Sequence, residues 1–280
     1  MPERAVMTIQ DIIQIMEKHH TRFDSSSRTC DGVIIGDVDK ECTGIAVTCC
    51  PTAAVIQKAA ETGCNFLLCH EPTFFDGWDK TDWLENNKVF KAKLDLIQKT
   101  GMTIYRNHDH LHSDDPDGIF IGVTKQLGWE DYAIEKPLRF MPGCCFDLPT
   151  TTVGEIAAHL RQVLHIDGIR IIGDPDMEVN RVGFTFHYFG SDMDKTCIQF
   201  IEETDMQVII PGEIVDWTIG EYVQDAVTLG MKRALLNVGH FNWEEPGMES
   251  VAEWLAEDIH HTVPVVFLQS GNQYKWLSKK

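Results

Sequence analysis

The chain has 280 residues, 43% of them hydrophobic, enough for a sizeable core in one large domain or two packed lobes. Its 24 basic against 43 acidic residues give a formal charge of −19, which repels phosphate backbones and argues against general nucleic-acid binding. No apolar run approaches the ~20 residues of a membrane span, and the opening MPERAVMTIQ has no apolar signal core, so a cytoplasmic protein is expected.

A first helix is predicted from Thr8, with Asp11 completing a box-like cap and Ile12, Ile13 and Met16 turned inward. Strands follow at 32–35 and 44–48. Pro51 opens a helix with Val55, Ile56, Ala59 and Ala60 on one apolar face, and Gly63 closes it. A strand over 66–69 runs into His70. The unit repeats as a helix over 86–98 closed by Gly101, a strand over 102–105 running towards His108, and a helix from Asp115-Pro116 to Gly128. The pattern turns irregular around 136–145, where a lobe boundary is placed, giving lobes 1–135 and 136–280. Beyond it the pattern predicts helices over 156–164, 192–203, 221–229 and 248–260. Strands are predicted over 169–172, 182–186, 206–210, 234–238 and 265–268. Such alternation is the mark of an α/β protein.

Nine cysteines include the pairs Cys49-Cys50 and Cys144-Cys145 but no C-x-x-C. That spacing argues against a zinc ribbon or a thioredoxin-like motif and for free, mostly buried thiols. There is no G-x-S-x-G elbow, P-loop or G-x-G-x-x-G fingerprint.

In α/β sheets ligands gather beyond the carboxyl ends of the strands, and three predicted strands here lead to metal-capable residues: His70-Glu71, His108 and His240. The segment His108-Asp109-His110-Leu111-His112 has histidines at period two, which an extended chain would project to one side. In His240-x-x-x-Glu244 the following Pro246 suits a helix's first turn, so the two side chains are expected to meet across a strand-to-helix turn. Imidazole with carboxylate suits zinc, iron or manganese better than calcium or magnesium. His19-His20, His159, His165 and His260-His261 are assigned to surfaces and helix ends, and His187 to the lining of a cleft.

Gly63-x-x-Phe66-Leu67-Leu68-x-His70-x-Pro72, Pro211-Gly212-Glu213-Ile214 and Gly239-His240-x-x-x-Glu244 resemble, in order and spacing, motifs of the NGG-interacting-factor-three-like family. Its members are also called dinuclear metal centre hexameric protein or GTP cyclohydrolase I type 2 homolog. The resemblance implies two packed α/β lobes with a metal site between them. It further implies a homo-hexamer and two divalent transition-metal ions (zinc, iron or manganese) on His70, Glu71, His112, His240 and Glu244. Glu244 would bridge, and His108 or His110 would orient a ligand or carry a proton. The chain departs from the family where it has Glu71 for a histidine and His112 for an aspartate, an exchange that conserves three imidazoles and two carboxylates. It also has Asp216-Trp217 where a histidine follows G-E-I, and fewer glycines around 189–192. Metal-dependent hydrolysis of a small molecule is the expected function. The alternatives are a non-catalytic metal-dependent scaffold or regulatory binding protein, and a GTP cyclohydrolase-like activity.

Overall fold

The computed structural model describes residues 6–26, 28–134 and 138–277. The described elements run α1 (Ile9–His19), β1 (Gly32–Ile35), β2 (Ile45–Thr48), α2 (Ala53–Glu61), β3 (Phe66–Cys69), α3 (Lys88–Thr100), β4 (Thr103–Arg106) and α4 (Asp109–Ser113). Then come α5 (Gly118–Leu127), β5 (Gly143–Thr152), α6 (Val153–Val163), β6 (Arg170–Ile172), β7 (Glu178–Thr185), α7 (Asp192–Glu203), β8 (Val208–Pro211) and α8 (Glu221–Thr228). The chain ends with β9 (Ala234–Asn237), α9 (His240–Asp258) and β10 (Val265–Phe267). Among the described residues no helix is long and apolar enough to cross a membrane.

Two compact units are present. The first comprises residues 1–114 and 247–270, the second residues 115–246 and 271–280. The expected boundary at 135/136 lies outside the described residues. The return of 247–270 to the first unit has a direct cause: β10 pairs parallel to β2, with Val265 opposite Ile45.

The first unit's sheet has the order β1-β4-β3-β2-β10, parallel except for β1. Strands β2, β3 and β4 are buried along their whole length, as a parallel sheet covered on both faces requires. Ile56, Leu67, Ile97 and Ile104 are at its centre. The local stops are those read from the sequence. Thr8 and Asp11 form a reciprocal capping box on α1, and Gly101 ends α3 at φ 63°, where a side chain would strain.

In the second unit the order is β5-β7-β8-β9-β6, with β7, β8 and β9 parallel and both edge strands antiparallel. Met206, Ile209, Val223 and Leu235 fill one core. A second core is aromatic: Trp243 is 1% exposed, with ring centroids 4.5, 5.1 and 5.9 Å from Phe120, Phe140 and Phe184.

Two expectations about chain path are corrected. The last helix was expected over 248–260, with Pro246 marking its start; it begins at His240 and carries Pro246 inside. Proline there forfeits the bond to the carbonyl of Asn242, a cost of a few kcal/mol in isolation. Burial of Trp243 offsets it, an indole of this kind being worth several kcal/mol at ~25 cal/mol per Å². The second correction is that 108–112 is not extended but opens α4, with His108 as its N-cap.

Candidate metal centres

In each unit the chain sets histidines just past the carboxyl ends of parallel strands. In the first, His70 follows β3 and His108 follows β4, and α4 then brings His112 round. Helical spacing puts His108 and His112 on one face and turns His110 away. The ring centroids of His70, His108 and His112 are 4.5 to 4.9 Å apart, and one ligand atom from each lies within 4.8 Å of the others.

Two of these rings are already oriented. His70 Nδ1 lies 3.1 Å from the Asn107 carbonyl, which only accepts, so the ring proton is on Nδ1 and Nε2 keeps its lone pair. That Nε2 lies 3.2 Å from His112 Nε2. His108 Nδ1 donates in the same way to Asp109 Oδ1 at 2.9 Å. An imidazole whose Nδ1–H is held by a carbonyl or carboxylate presents Nε2 to a metal. Donors bound at ~2.0–2.1 Å around a tetrahedral ion sit a little over 3 Å apart, so this donor set fits one transition-metal ion.

Burial, and then the neighbouring His70 ring, push the His108 pKa below the ordinary imidazole value, while the Asp109 hydrogen bond and the charge of Glu71 oppose them. The ring is thus biased to the neutral form that ligates. Its hydrogen bond holds the Asp109 carboxyl far below the usual range. Glu71 is buried beside His70, with its backbone N–H donating to the Cys49 carbonyl. Cys30 is also near His108 and Asp109. Its Sγ, however, donates to Asp109 Oδ1 at 3.3 Å, and burial drives the thiol pKa upward. Both favour the thiol over the thiolate that ligates a metal.

Two buried groups hold this cluster in place. Asp31 accepts from the backbone N–H of His108 (2.6 Å), Asp109 (3.0 Å) and His110 (2.9 Å), and is 2.6 Å from His110 Nδ1. One carboxylate thus gathers the first turn of α4. Arg106 donates from Nε to the His70 carbonyl at 2.9 Å and from Nη1 to the Gly77 carbonyl at 2.6 Å, with Asp79 at 3.9 Å. His110, expected to orient a ligand or carry a proton, is instead seated on Asp31.

In the second unit the strands β7, β8 and β9 lead to His187, Glu213 and His240. His240 and Glu244 do not meet across a turn, as expected; they are one helical turn apart on α9, with Nε2 and Oε2 separated by 3.0 Å. His240 Nδ1 lies 3.0 Å from Glu213 Oε1. The ring therefore bridges two carboxylates, as an imidazolium or as a neutral ring with a metal ion in place of the Nε2 proton. Ligand atoms of His187, His240 and Glu244 lie within 4.8 Å of one another, and of these His240 and Glu244 are the pair placed to ligate.

His187 differs from the others. Its Nδ1 accepts the backbone N–H of Glu213 at 3.1 Å, so the neutral ring carries its proton on Nε2, as a donor. Gly212 makes room for it, since a β-carbon there would collide with the His187 ring. His19 stacks on Trp254 and bonds Asp258 at 2.6 Å. His20, expected at a surface, is buried between Asp114 and Asn107. His159 meets the Leu127 carbonyl at 2.9 Å.

The structure thus gathers His70 and His112 in one unit, and His240 and Glu244 in the other. It adds His108 to the first cluster and His187 with Glu213 to the second. His187 had only its place after a strand to signal it. Asp31, 79 residues from His110, had no sequence signal.

Fold and clusters together define a mixed α/β protein with two metal-capable groups of histidine and carboxylate. The chain belongs to the Duf34/NIF3 (NGG1p interacting factor 3) family, which it matches over residues 7–273. It is 24% identical over 269 residues, 93% of its own length and 95% of the relative's, to a Clostridium perfringens protein named GTP cyclohydrolase 1 type 2 homolog. A Staphylococcus aureus protein of the same name is 36% identical over 130 residues, 46% of this chain and 34% of the relative. Among solved structures, the fold is shared with a Bacillus cereus protein related to NIF3, at TM-score 0.76 and 15% identity over 98% of this chain and 100% of the other.

Proposed function

We propose that this chain binds two divalent transition-metal ions and hydrolyses a small molecule with them. One ion is assigned to His70, His108 and His112 with Glu71 beside them, the other to His240 and Glu244. The observation that carries this reading is the orientation of His70, His108 and His240 by oxygen acceptors at Nδ1, which in His70 and His240 turns Nε2 towards another donor of the same cluster. Bound ions of this kind supply Lewis acidity and a water acidic enough to ionise near neutral pH.

The protein's own part follows from the second cluster. Glu213 anchors His240 through its carboxylate and His187 through its backbone N–H. His187, with Nδ1 accepting from the Glu213 backbone, would donate from Nε2 to an oxygen that gains negative charge as a substrate bond is attacked. A ring-like homo-hexamer is what the family resemblance implies, and native mass measurement tests it.

Protein purified without added metal should contain roughly two zinc, iron or manganese ions per chain by elemental analysis. His70→Ala with His112→Ala should remove one, and His240→Ala with Glu244→Ala the other. Full occupancy in either double variant would refute the assignment. Turnover is then screened on phosphoesters, nucleotides and amides.

A further inference from the structure

Beside His240 in the second unit lies a cleft of about 650 Å³, within the range of small-molecule sites. Its wall includes Arg170, Glu213, His240, Tyr274, Lys275 and Trp276. Three features set it apart from ordinary surface.

The first is charge. On a chain of formal charge −19, two cations share this cleft, while its one carboxylate, Glu213, is engaged with His240. Arg170 meets Asp216 at 3.5 Å, and both side chains are largely exposed. A pair of that kind is worth little in water and yields readily to a competing anion.

The second is the aromatic content. Tyr274 and Trp276, 72% and 50% exposed, stand on the same wall as the two cations. The third is anchoring. Asn272 is tied to Asn242 at 3.2 Å and to the His165 carbonyl at 3.4 Å. Trp276 lies flat enough on Gly168 that a β-carbon there would collide with its ring. Held at both ends, the segment 272–276 is a pre-shaped wall, and pre-ordering lowers the entropy lost when a ligand binds.

We propose that this cleft is a ligand site for a planar aromatic molecule carrying an anionic group. Tyr274 and Trp276 take the ring, and Arg170 and Lys275 take the anion. That the ligand is also a substrate rests on the proposed function, since His240 forms part of the wall; the binding itself does not.

The test is calorimetric titration of the full chain, stripped with EDTA and metal-loaded in parallel. The probes are phenyl phosphate and benzoate, with inorganic phosphate and benzyl alcohol as partial ligands. Both aryl anions, or the one whose head group fits, should bind at least about tenfold more tightly than either partial ligand, in stripped as in loaded protein. Lys275→Ala and Arg170→Ala, both at exposed positions, should melt as the parent does and weaken aryl-anion binding about tenfold each. Trp276→Ala should weaken the aryl anions about tenfold and leave inorganic phosphate unchanged. Failure of both phenyl phosphate and benzoate to bind more tightly than inorganic phosphate and benzyl alcohol would overturn the proposal. So would aryl-anion binding that requires metal and ignores all three variants. Variant-sensitive binding to a chain that takes up no metal would sustain this site while removing the proposed hydrolase.

Discussion

Replacing Asp31 by Asn changes one atom and should disable the first cluster. The carboxylate accepts three backbone N–H groups and faces His110 Nδ1, all within 3.0 Å, and its side chain is 1% exposed. An asparagine keeps one oxygen, which can serve two of the backbone donors, now as a neutral acceptor. Its NH₂ faces a third N–H, donor against donor. Hydrogen bonds to a buried charge contribute about 1.5–3 kcal/mol against about 1 for neutral ones, and a stranded buried donor costs about 1–3. Together these give a loss of roughly 3–5 kcal/mol, seen in urea unfolding as a lowered midpoint with unchanged slope. Because His108 and His112 ride on the turn that Asp31 gathers, cobalt affinity of the first cluster should fall about 10–100-fold, with the second cluster unaffected. Unchanged stability together with unchanged affinity would show that the carboxylate neither holds α4 nor positions the histidines.

Three further outcomes follow from the same reasoning. Gly212→Ala must push the His187 ring aside; the expected result is a fall of about tenfold or more in turnover, with metal content of the second cluster within error of the parent. Arg106→Leu takes the larger of the two cationic influences that the described residues exert on the buried Asp79 side chain, leaving Lys93, and should destabilise by roughly 3–5 kcal/mol, measured by chemical unfolding. Asp194→Ala removes the carboxylate that accepts from the N–H groups of Phe189, Gly190 and Ser191 and should lose about 2–4 kcal/mol at pH 7. Burial raises the Asp194 pKa, but the donors around it outweigh that and hold it below the ordinary value. A depressed folded-state pKa stabilises above the unfolded value near 4, and the benefit is lost as pH falls through the folded one. The gap between parent and variant should therefore be flat from pH 8 to 5 and close below about pH 4; a gap that widens there would contradict the assignment.

Where a structural cause is local, the sequence already displayed it. Caps at Thr8 and Gly101 and the strand leading into His70 all stand within a few positions of their reading, because capping and strand alternation act over one turn or one strand. What escaped depends on residues far apart in the chain. Period-two histidines read as extended, yet the first turn of α4 is gathered by a carboxylate nearly eighty residues earlier. Pro246 read as the start of a helix, yet three phenylalanines from distant segments hold Trp243 and draw the start back to His240. Gly212 looked like a motif glycine, and only the packed His187 ring explains why no side chain fits there.

If, as the family resemblance implies, Glu71 stands for a histidine and His112 for an aspartate, the exchange has a chemical consequence for each cluster. The first offers three imidazoles, with Glu71 as the nearby carboxylate. The second offers one imidazole with Glu244, and Glu213 behind it. Nitrogen-rich sets favour the zinc end of the divalent series, whereas carboxylate-rich sets tolerate manganese and iron(II). The two ions should therefore not be equivalent. In a competition of limiting zinc against excess manganese, zinc should occupy the first cluster before the second. His112→Asp, which restores the family's carboxylate there, should narrow the preference by about tenfold or more. Equal zinc occupancy of both clusters at every ratio would mean that the exchange left metal selection untouched.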